Sequence, residues 1–398
     1  MIQNESTMNK KKILFVIESL KAAGGEKSLV TLFSLIDYDK YDVELQLFGF
    51  GGEFEQYVPQ NVCVLPPLSY PAFLMHQRRG NFKMWRSRLR YSLSLRGSKK
   101  TIKEKARLYW THISSCIEEN PVRYDVAIAY GQCHPTFYVA EKVNADKKLA
   151  WVNCIYHLDG KERKWQRPFY EVMDKIVMVS EAALTHFKGV YPDMAQKMDL
   201  MPDLVVPDFI SRMADNGKSF DDGNKGIKLL TVARLNKADK GYDITLDACR
   251  ILKERGVDFK WYALGRGEYK SEMERYIEEH GLKDTFILLG VTPNPYPYIN
   301  DCTLYVQTSR HEGYGLSIAE ARILNKPVVT TEFDAVWNQM VQGENGLVVP
   351  QDPVAVADAI ERLLNDKQLY NHIVEYQKQE KKGNTEEIEK FYGLIENC

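Results

Sequence analysis

Ile13-Leu-Phe-Val-Ile17 is the stretch of sequence that decides the fold class. The glycine pair Gly24-Gly25 follows it, and a helical pattern then runs from Lys27 to Leu35. A short continuous run of apolar residues is typical of a parallel strand that is buried on both faces. A strand, a glycine turn and a helix together form the opening unit of a doubly wound sheet. The sequence therefore predicts an α/β protein.

Further apolar runs, most of them separated by helical patterns, repeat this unit along the chain. Such alternation predicts parallel sheets that are covered by helices on both faces. The predicted strands are 43–48, 62–65, 126–130, 149–152 and 176–179, then 228–232, 259–264, 286–289, 304–307, 327–330 and 347–349, and in the second set helices are predicted near 242–255, 270–280, 316–324 and 354–364.

A polar, glycine-rich stretch divides the two sets of strands, and 398 residues suit two α/β domains of ordinary size. We therefore expect two Rossmann-like domains facing across a cleft, which is a common place for a small-molecule site. The expected parts are an N-terminal domain at 1–211 with a basic helical insertion near 72–118, a linker at 212–226, a C-terminal domain at 227–384, and a C-terminal helix at 385–398 that packs back on the N-terminal domain.

Composition excludes several classes of protein. The seven cysteines are an odd number without a Cys-x-x-Cys pair, which argues against a disulfide framework or a zinc site and suits a reducing compartment. The N-terminus does not read as a signal peptide, because Glu18 ends its short apolar run. No segment approaches the roughly 18 apolar residues of a membrane span. We expect a cytoplasmic protein, in contact with a membrane only at its inner face.

Residues 78–107 form a basic segment in which twelve lysines and arginines stand against the single acid Glu104 and alternate with aromatic and apolar residues. Nucleic-acid binding is one interpretation, but no nucleic-acid-binding motif accompanies the cations, so we expect no such partner. A solvated helical face is a second. Docking on an anionic membrane surface is the third, and we favour it because Trp85, Leu89 and Tyr91 suit the interface.

The segment His311-Glu-Gly-Tyr-Gly-Leu-Ser-Ile-Ala-Glu-Ala321 carries the strongest functional signal. Its glycines let the backbone approach a ligand, and the first turn of the predicted helix offers unpaired N–H groups for a phosphate. Glu312 precedes the helix, and Glu320 lies about 12 Å further along it at 1.5 Å per residue. The two carboxylates are suited to opposite ends of one extended ligand. A solvated loop and helix pair is the alternative.

Glu312 and Glu320, with Gly313, Gly315 and Leu316 between them, resemble the signature of the retaining GT-B glycosyltransferases of the GT4 family. The other motifs of that family follow in the same order over nearly the whole chain. They are Gly24-Gly25-Glu26 for its N-terminal glycine loop, Val232-Ala-Arg234-Leu and Lys240-Gly241 for its strand-end cations, Leu264-Gly265-Arg-Gly267 for its Gly-x-Gly turn, Leu289-Gly290-Val291 for its base-binding loop, and Asn345-Gly346-Leu347 for its late turn.

The resemblance implies a retaining transfer of a sugar from a nucleotide diphosphate donor, most often a UDP-sugar, to a hydroxyl of a glycan or lipid-linked oligosaccharide in bacterial surface polysaccharide synthesis. The C-terminal domain would bind the donor and the N-terminal domain the acceptor. Glu312 is expected to contact the sugar and Glu320 the ribose. The expected donor-binding residues are Gly24, Gly25, Arg234, Lys240, Gly265, Val291, Glu312, Gly313, Tyr314, Gly315, Leu316 and Glu320.

No cofactor and no metal is expected beside the nucleotide sugar. Arg234 and Lys240 supply cations that can stabilise the charge of a departing diphosphate. The pair Asp37-Tyr-Asp39 falls in an apparent turn, where aspartates are common, and is not expected to bind a metal. Without the surrounding motifs, the alternative interpretation is that Arg234 and Lys240 are ordinary surface cations.

The chain departs from the family pattern after the strand 149–152, where a histidine is usual and Asn153 stands instead, with His157 four residues later. The expected catalytic residues are therefore Glu312, Arg234, Lys240, His157 and Asn153, with a structural role for His157 as the alternative. Two other functions remain open, namely a nucleotide-sugar epimerase with the same fold and an inactive glycosyltransferase-like binding subunit.

Overall fold

The computed structural model describes residues 10–21, 24–97 and 100–396, which fall into two compact units. The first unit is made of two parts of the chain, one that extends to Pro202 and one that starts at Glu386. The second unit is Asp203–Thr385. Each unit has its own parallel sheet and its own apolar core.

Within the described residues, the first unit holds a seven-stranded parallel sheet in the order β3-β2-β1-β4-β5-β6-β7. Its central strand contains the opening apolar run, in which Ile13 to Val16 are fully buried. Short β7 was not predicted because its three residues include an aspartate and show no apolar run. The strands are β1 Lys11–Ile17, β2 Tyr41–Leu47, β3 Val62–Val64, β4 Arg123–Ala129, β5 Asn144–Val152, β6 Lys175–Met178 and β7 Met198–Leu200.

Helices cover this sheet, and one helical insertion lies between β3 and β4, in the region that the basic residues predict. The helices before Pro202 are α1 Gly24–Phe33, α2 Ser69–Leu74, α3 Phe82–Ser94, α4 Ile102–Ile113, α5 His134–Lys142, α6 Gly160–Glu171 and α7 Glu181–Val190. Among the described residues, no helix is long and apolar enough to cross a membrane.

The second unit repeats the design with a six-stranded parallel sheet in the order β10-β9-β8-β11-β12-β13, again counted over the residues described. The predicted strand bounds hold here within about two residues. The strands are β8 Ile227–Val232, β9 Phe259–Leu264, β10 Phe286–Gly290, β11 Leu304–Gln307, β12 Val328–Thr331 and β13 Gly346–Val349, and the helices are α8 Pro207–Asp215, α9 Lys237–Lys240, α10 Tyr242–Glu254, α11 Lys270–Glu279, α12 Tyr296–Asp301, α13 Leu316–Ile323, α14 Pro353–Asn365 and α15 Lys367–Gln379.

The stretch 212–226, expected to link two domains, packs within the second unit, and the units divide earlier, at Pro202. Asp222 accepts hydrogen bonds of 2.7 Å from Lys260 and from the Tyr262 hydroxyl. These bonds lower the pKa of Asp222 to about 2. The Phe220 ring lies 4.3 Å from that of Tyr262. The polar, glycine-rich composition indicated a linker without packing contacts. Asp222 and Phe220 nevertheless attach this stretch to β9.

The last helix, α16 Ile388–Glu396, packs on the sheet of the first unit. Its Phe391 is fully buried and stacks on Phe15 of β1, with ring centroids 6.1 Å apart. Tyr392 stacks on Tyr41 of β2 at 5.3 Å. The chain thus returns to its first strands after it has completed the second unit.

Candidate active site

The strongest candidate site lies at the carboxyl ends of the strands of the second unit. Arg234 and Lys240 follow β8, Gly265 follows β9, and Glu312 follows β11. In the sheet order β9, β8 and β11 are neighbours, so their carboxyl ends share one edge. That edge is where open α/β sheets bind their ligands.

Lys240 and Glu312 form an ion pair at this edge, with Nζ and Oε2 2.5 Å apart. The side chains are only 15% and 12% exposed. The other carboxylate oxygen accepts from Ser309 Oγ at 2.7 Å and from Gln307 Nε2 at 3.0 Å. The interpretation of Glu312 as a solvated loop residue, and that of Lys240 as an ordinary surface cation, are therefore wrong.

Three residues of β11 and its exit loop that the sequence analysis did not select hold Glu312 in place. Gln307 donates to Ser309 Oγ at 2.7 Å and accepts from the Tyr305 hydroxyl at 2.7 Å. Burial raises the pKa of Tyr305 well above its usual value, so its hydroxyl remains a donor. The signal that could have found them is the change from apolar to polar residues at the carboxyl end of a buried strand.

Lys240 ends the one-turn helix α9, and the turn behind it is fixed by a close backbone contact. Gly241 has φ +61°, and a Cβ at this position would lie 2.1 Å from the Thr308 carbonyl oxygen. The Thr308 hydroxyl also donates to the Lys240 carbonyl at 3.2 Å. Only glycine lets the loop after β8 approach the loop after β11 so closely, and this approach brings Lys240 to Glu312.

Arg310 ties the same two loops together from the other side. Its guanidinium makes two hydrogen bonds of 2.8 and 2.9 Å to the Asp243 carboxylate. Its backbone N–H donates to the Asp239 carbonyl at 2.7 Å. Burial opposes ionisation of Asp243, but the bonds from Arg310 outweigh it, and the net effect lowers the pKa of Asp243. The loops that carry Lys240 and Glu312 are thus joined by backbone and side chains.

Arg234 differs from Lys240, because its side chain is 57% exposed and reaches Asp239 only at 3.9 Å. The loop that carries it runs against the turn after β9. A Cβ on Gly265 would lie 1.9 Å from the Ala233 carbonyl oxygen, and one on Gly267 would lie 2.1 Å from the Leu235 carbonyl oxygen. Close packing therefore explains why both positions are glycine. The same close approach sets the position of the loop that carries Arg234.

The glycine-rich turn before α13 has its own support. Gly315 adopts φ +84° and begins the helix, and a Cβ on it would meet Gln339 Nε2 at 2.8 Å. That amide donates to the carbonyls of Tyr314 and Gly315. Gly313, Tyr314 and Leu316 are partly buried. Gln339 was not selected from the sequence, because it lies outside the motif that it supports.

Glu320 is 2% exposed on α13, so the solvated alternative is wrong for it as well. Its Oε1 lies 3.4 Å from the Tyr296 hydroxyl at the start of α12. Val291, from the predicted base-binding loop, stands just after β10 and is 36% exposed.

In the first unit, the structure brings the glycine pair to Asn153. The predicted glycine turn is part of α1, which begins at Gly24, and a Cβ on Gly25 would lie 2.9 Å from Asn153 Nδ2. His157 is elsewhere on the same loop, with its ring 4.4 Å from that of His186 and its carbonyl accepting from Lys103. Asn153 is therefore the residue of this loop that adjoins the glycine pair.

Residues suited to a metal ion do not gather in the part of the chain that the structure describes, where no three His, Cys, Asp or Glu side chains form such a group. Asp37 instead accepts from the backbone of Asp39 at 3.1 Å and pairs with Lys40 at 3.2 Å. Its backbone N–H donates to the Tyr392 hydroxyl at 2.9 Å. These are the contacts of a turn residue.

Comparison with known proteins gives a family match within the second unit and relatives that align with about a third of the chain. Residues 215–380 match the family described as glycosyl transferases group 1. The chain is 31% identical over 150 residues to the alpha-D-kanosaminyltransferase of Streptomyces kanamyceticus, an alignment that covers 37% of this chain and 39% of the relative. It is 29% identical over 144 residues to the capsular polysaccharide biosynthesis glycosyltransferase CapM of Staphylococcus aureus, covering 35% of this chain and 37% of CapM.

The fold comparison extends over both units. The crystal structure of Anabaena HepE in complex with UDP and glucose matches 98% of this chain and 100% of that chain, with a TM-score of 0.68 and 17% identity. The curated relatives, by contrast, are spanned for only 39% and 37% of their length. The predicted α/β fold class and the resemblance to glycosyltransferases are confirmed, since residues 215–380 match the group 1 glycosyl transferase family and the chain has the GT-B fold.

Proposed function

We propose that this protein is a glycosyltransferase that moves a sugar from a nucleoside diphosphate donor to an acceptor hydroxyl. The observation that carries the proposal is the ion pair of Lys240 with Glu312, held by Ser309 and Gln307 at the carboxyl edge of a parallel sheet. The pair places one cation and one anion, both largely shielded from water, where such sheets bind ligands.

The cations suit the leaving group. When the bond between the sugar and the phosphate breaks, negative charge grows on the departing diphosphate, and preorganised cations stabilise it most strongly where water is excluded. Lys240 offers a partly buried ammonium, and exposed Arg234 offers five N–H donors of a kind that suits phosphate oxygens. Backbone N–H groups at the start of α13 add further donors. We propose that these groups neutralise the diphosphate without a metal.

The two glutamates are proposed to bind different parts of the donor. Glu312, fixed at the edge of the sheet, is proposed to accept hydrogen bonds from hydroxyls of the transferred sugar. Glu320, further along α13, is proposed to hold the ribose diol. A carboxylate is a strong acceptor and can bind two hydroxyls at once, which suits both tasks. Glu312 would then affect turnover, and Glu320 would affect donor binding.

We propose that the acceptor binds to the first unit. Asn153 lies beside Gly25 near the carboxyl ends of β5 and β1, where a Cβ on Gly25 would lie 2.9 Å from the Asn153 amide nitrogen, so the lack of that Cβ leaves backbone beside a polar amide. We propose that Asn153 contacts the reacting sugar or the acceptor, with His157 as the second candidate. The acceptor would be a hydroxyl of a glycan or lipid-linked oligosaccharide.

The relatives support UDP and a cell-surface product. HepE was solved with UDP and glucose, and CapM is named for capsular polysaccharide biosynthesis. We accordingly propose a UDP-sugar donor and a role in bacterial surface polysaccharide synthesis. Retention of configuration, by a front-face route in which the leaving phosphate oxygen takes the acceptor proton, completes the proposal. A covalent glycosyl-enzyme trapped with a slow substrate analogue would contradict that route.

Glu312→Ala gives the sharpest test. UDP-, GDP- and ADP-sugars are first compared by thermal shift, because a ligand that binds only the folded state raises its melting temperature. With the donor that binds, we expect Glu312→Ala to lower turnover by roughly 100-fold, the cost of losing one preorganised polar group. The donor-induced thermal shift should persist. Glu344→Ala, a carboxylate that pairs with His372 at 2.8 Å, serves as the matched control.

Two outcomes would overturn the proposal. Unchanged turnover in Glu312→Ala would remove the assigned role of the ion pair. A new nucleotide sugar formed from labelled donor without any acceptor would instead identify an epimerase. EDTA should leave turnover unchanged, because the proposed cations belong to the protein.

A further inference from the structure

Helix α3 exposes an apolar stripe, and the Trp85 ring in it also packs edge-to-face on Phe73 of α2, with ring centroids 5.0 Å apart. Phe82, Trp85, Leu89 and Leu93 follow one another at intervals of three and four residues and are 47–82% exposed. At 3.6 residues per turn they lie within about 80° of arc on the helix. The opposite face, with Met84 and Ser87, is buried. The stripe is therefore an outer face of a helix that is already packed.

Cations border this stripe. Lys83, Arg86 and Arg90 are exposed and fall next to it around the helix. Arg86 and Arg90 form no ion pair with any residue that the structure describes. Arg88 lies over the Trp85 ring, 5.5 Å from its centroid, on the other border. A solvated face would expose the charges alone, whereas this face exposes an aromatic and leucine stripe between arginines.

The structure also divides the basic segment of the sequence into two parts. Arg107 pairs with buried Glu162 at 2.6 Å, and Lys103 donates to the His157 carbonyl. These cations of α4 are used within the fold. On α3, Lys83 donates to the Ser115 carbonyl in the same way, whereas Arg86 and Arg90 are exposed. Lys99 lies outside the described residues. The exposed cations that border the apolar stripe are therefore Arg86 and Arg90, and not the whole of 78–107.

We propose that α3 docks this protein on an anionic lipid bilayer, with the stripe Phe82, Trp85, Leu89 and Leu93 in the headgroup region and Arg86 and Arg90 on the lipid phosphates. Helices with Trp, Phe and Leu on one face and Lys or Arg beside them lie in the plane of a membrane interface. Anionic lipid adds an attraction for each cation near the surface. Charge complementarity thus selects a bilayer as the occupant.

Docking would bring the membrane towards the acceptor-side loop. α3 packs against α4, and α4 reaches the loop of Asn153 and His157 through Lys103. Where the proposed transfer holds, this places a lipid-linked acceptor on the same side of the first unit as Asn153. The docking itself does not depend on the transfer, so the two are tested separately.

Vesicle co-sedimentation tests the docking with the full chain. We expect the protein to sediment with phosphatidylcholine vesicles that contain about 30% phosphatidylglycerol at about 0.15 M salt, less at higher salt because the attraction is screened, and not with phosphatidylcholine alone. Trp85→Ser with Leu89→Ser should lower the bound fraction at least about tenfold, since interfacial binding scales with buried apolar area. Arg86→Glu with Arg90→Glu should do the same.

Matched controls come from the second unit. Trp337→Ser with Val341→Ser removes two other exposed apolar side chains, and Lys270→Glu with Arg275→Glu reverses two other exposed cations. Both controls should bind vesicles as the unchanged protein does. Thermal melting of every variant shows that a loss of binding is not a loss of fold.

Three results would overturn the inference. The unchanged protein could remain in the supernatant with anionic vesicles. The stripe variant could bind as well as its control. Alternatively, sedimentation velocity could show that the stripe variant turns a dimer into a monomer while vesicles bind neither form, which would assign the stripe to a second copy of the chain.

Discussion

Glu312 lies in a place with little water, where neighbouring residues replace the hydrogen bonds that water would make. Lys240, Ser309 and Gln307 all donate to its two oxygens, at 2.5, 2.7 and 3.0 Å. Charge-assisted bonds of this kind are stronger than neutral ones and fix an orientation as well. The carboxylate is therefore preorganised before any ligand enters, which is what a positioned contact to a reacting sugar requires.

Gly265 shows how a residue without a side chain positions a cation. In Gly265→Ala, the new Cβ would lie 1.9 Å from the Ala233 carbonyl oxygen, so the loop that carries Arg234 must move. We expect the free energy of unfolding to fall by roughly 2–3 kcal/mol, as for other overpacked sites. Urea denaturation measures it, and donor-induced thermal shift reports the displacement of Arg234.

The control for Gly265 is Gly189→Ala. Gly189 lies in α7 with no atom within 4 Å of its added Cβ. Alanine is a better helix former, so the control should be neutral or stabilising by up to about 1 kcal/mol. Equal effects of the two substitutions would refute the packing argument.

At the scale of elements, α4 is fastened to α6 by one largely buried ion pair. Arg107 Nε and Glu162 Oε1 lie 2.6 Å apart, with side chains 13% and 1% exposed. Removal of one partner from such a pair leaves the other charge without compensation in a place with little water. This pair therefore adds to the apolar contacts of Trp110 and Ile113 that hold the helical insertion on the first unit.

Arg107→Ala should lower the free energy of unfolding by about 3 kcal/mol, since Glu162 stays buried without this cation. Chemical denaturation followed by circular dichroism measures the loss. Arg123→Ala is the matched control, because Arg123 and Asp146 form a pair that is largely exposed. Exposed pairs contribute at most about 1 kcal/mol, so the control should change little. A loss in the control as large as that in Arg107→Ala would contradict this account.

At the scale of the whole molecule, α16 returns to the strands of the first unit. The second unit is complete at Thr385, and α16 then supplies Phe391 and Tyr392 to the sheet of the first unit. The first unit is therefore discontinuous in sequence, and part of its core is made last. This return makes the stability of the N-terminal sheet depend on the last residues of the chain.

Phe391→Ala should cost about 3–5 kcal/mol, the usual range for a fully buried phenylalanine. Hydrogen exchange followed by mass spectrometry locates the effect. We expect faster exchange in β1, β4 and β5 and unchanged exchange in β8 to β13. The exposed neighbour Lys390→Ala should leave both sheets unchanged. Faster exchange confined to the second unit would show that α16 stabilises the sheet of the second unit instead, and would contradict this prediction.

Most of the fold was predictable because parallel strands that are buried on both faces leave a continuous apolar run, as in Ile13 to Ile17. The motif around Glu312 was equally visible. The supports of the site were not, because Gln339 lies outside its motif and Gln307 is one polar residue at a strand end. The predicted domain boundary was displaced for the same reason. The contacts of single side chains such as Asp222, which the composition does not reveal, hold the polar stretch within the second unit.

The sequence by itself determined the α/β class, the two sets of strands and the residues that resemble a glycosyltransferase signature, because apolar periodicity and local motifs are properties of neighbours along the chain. Only the tertiary structure decided that Lys240 pairs with Glu312, that Gly25 meets Asn153, that α3 keeps its stripe exposed while α4 buries Arg107, and that α16 returns to β1. These contacts join residues that are distant in sequence, and packing alone selects which distant residues meet.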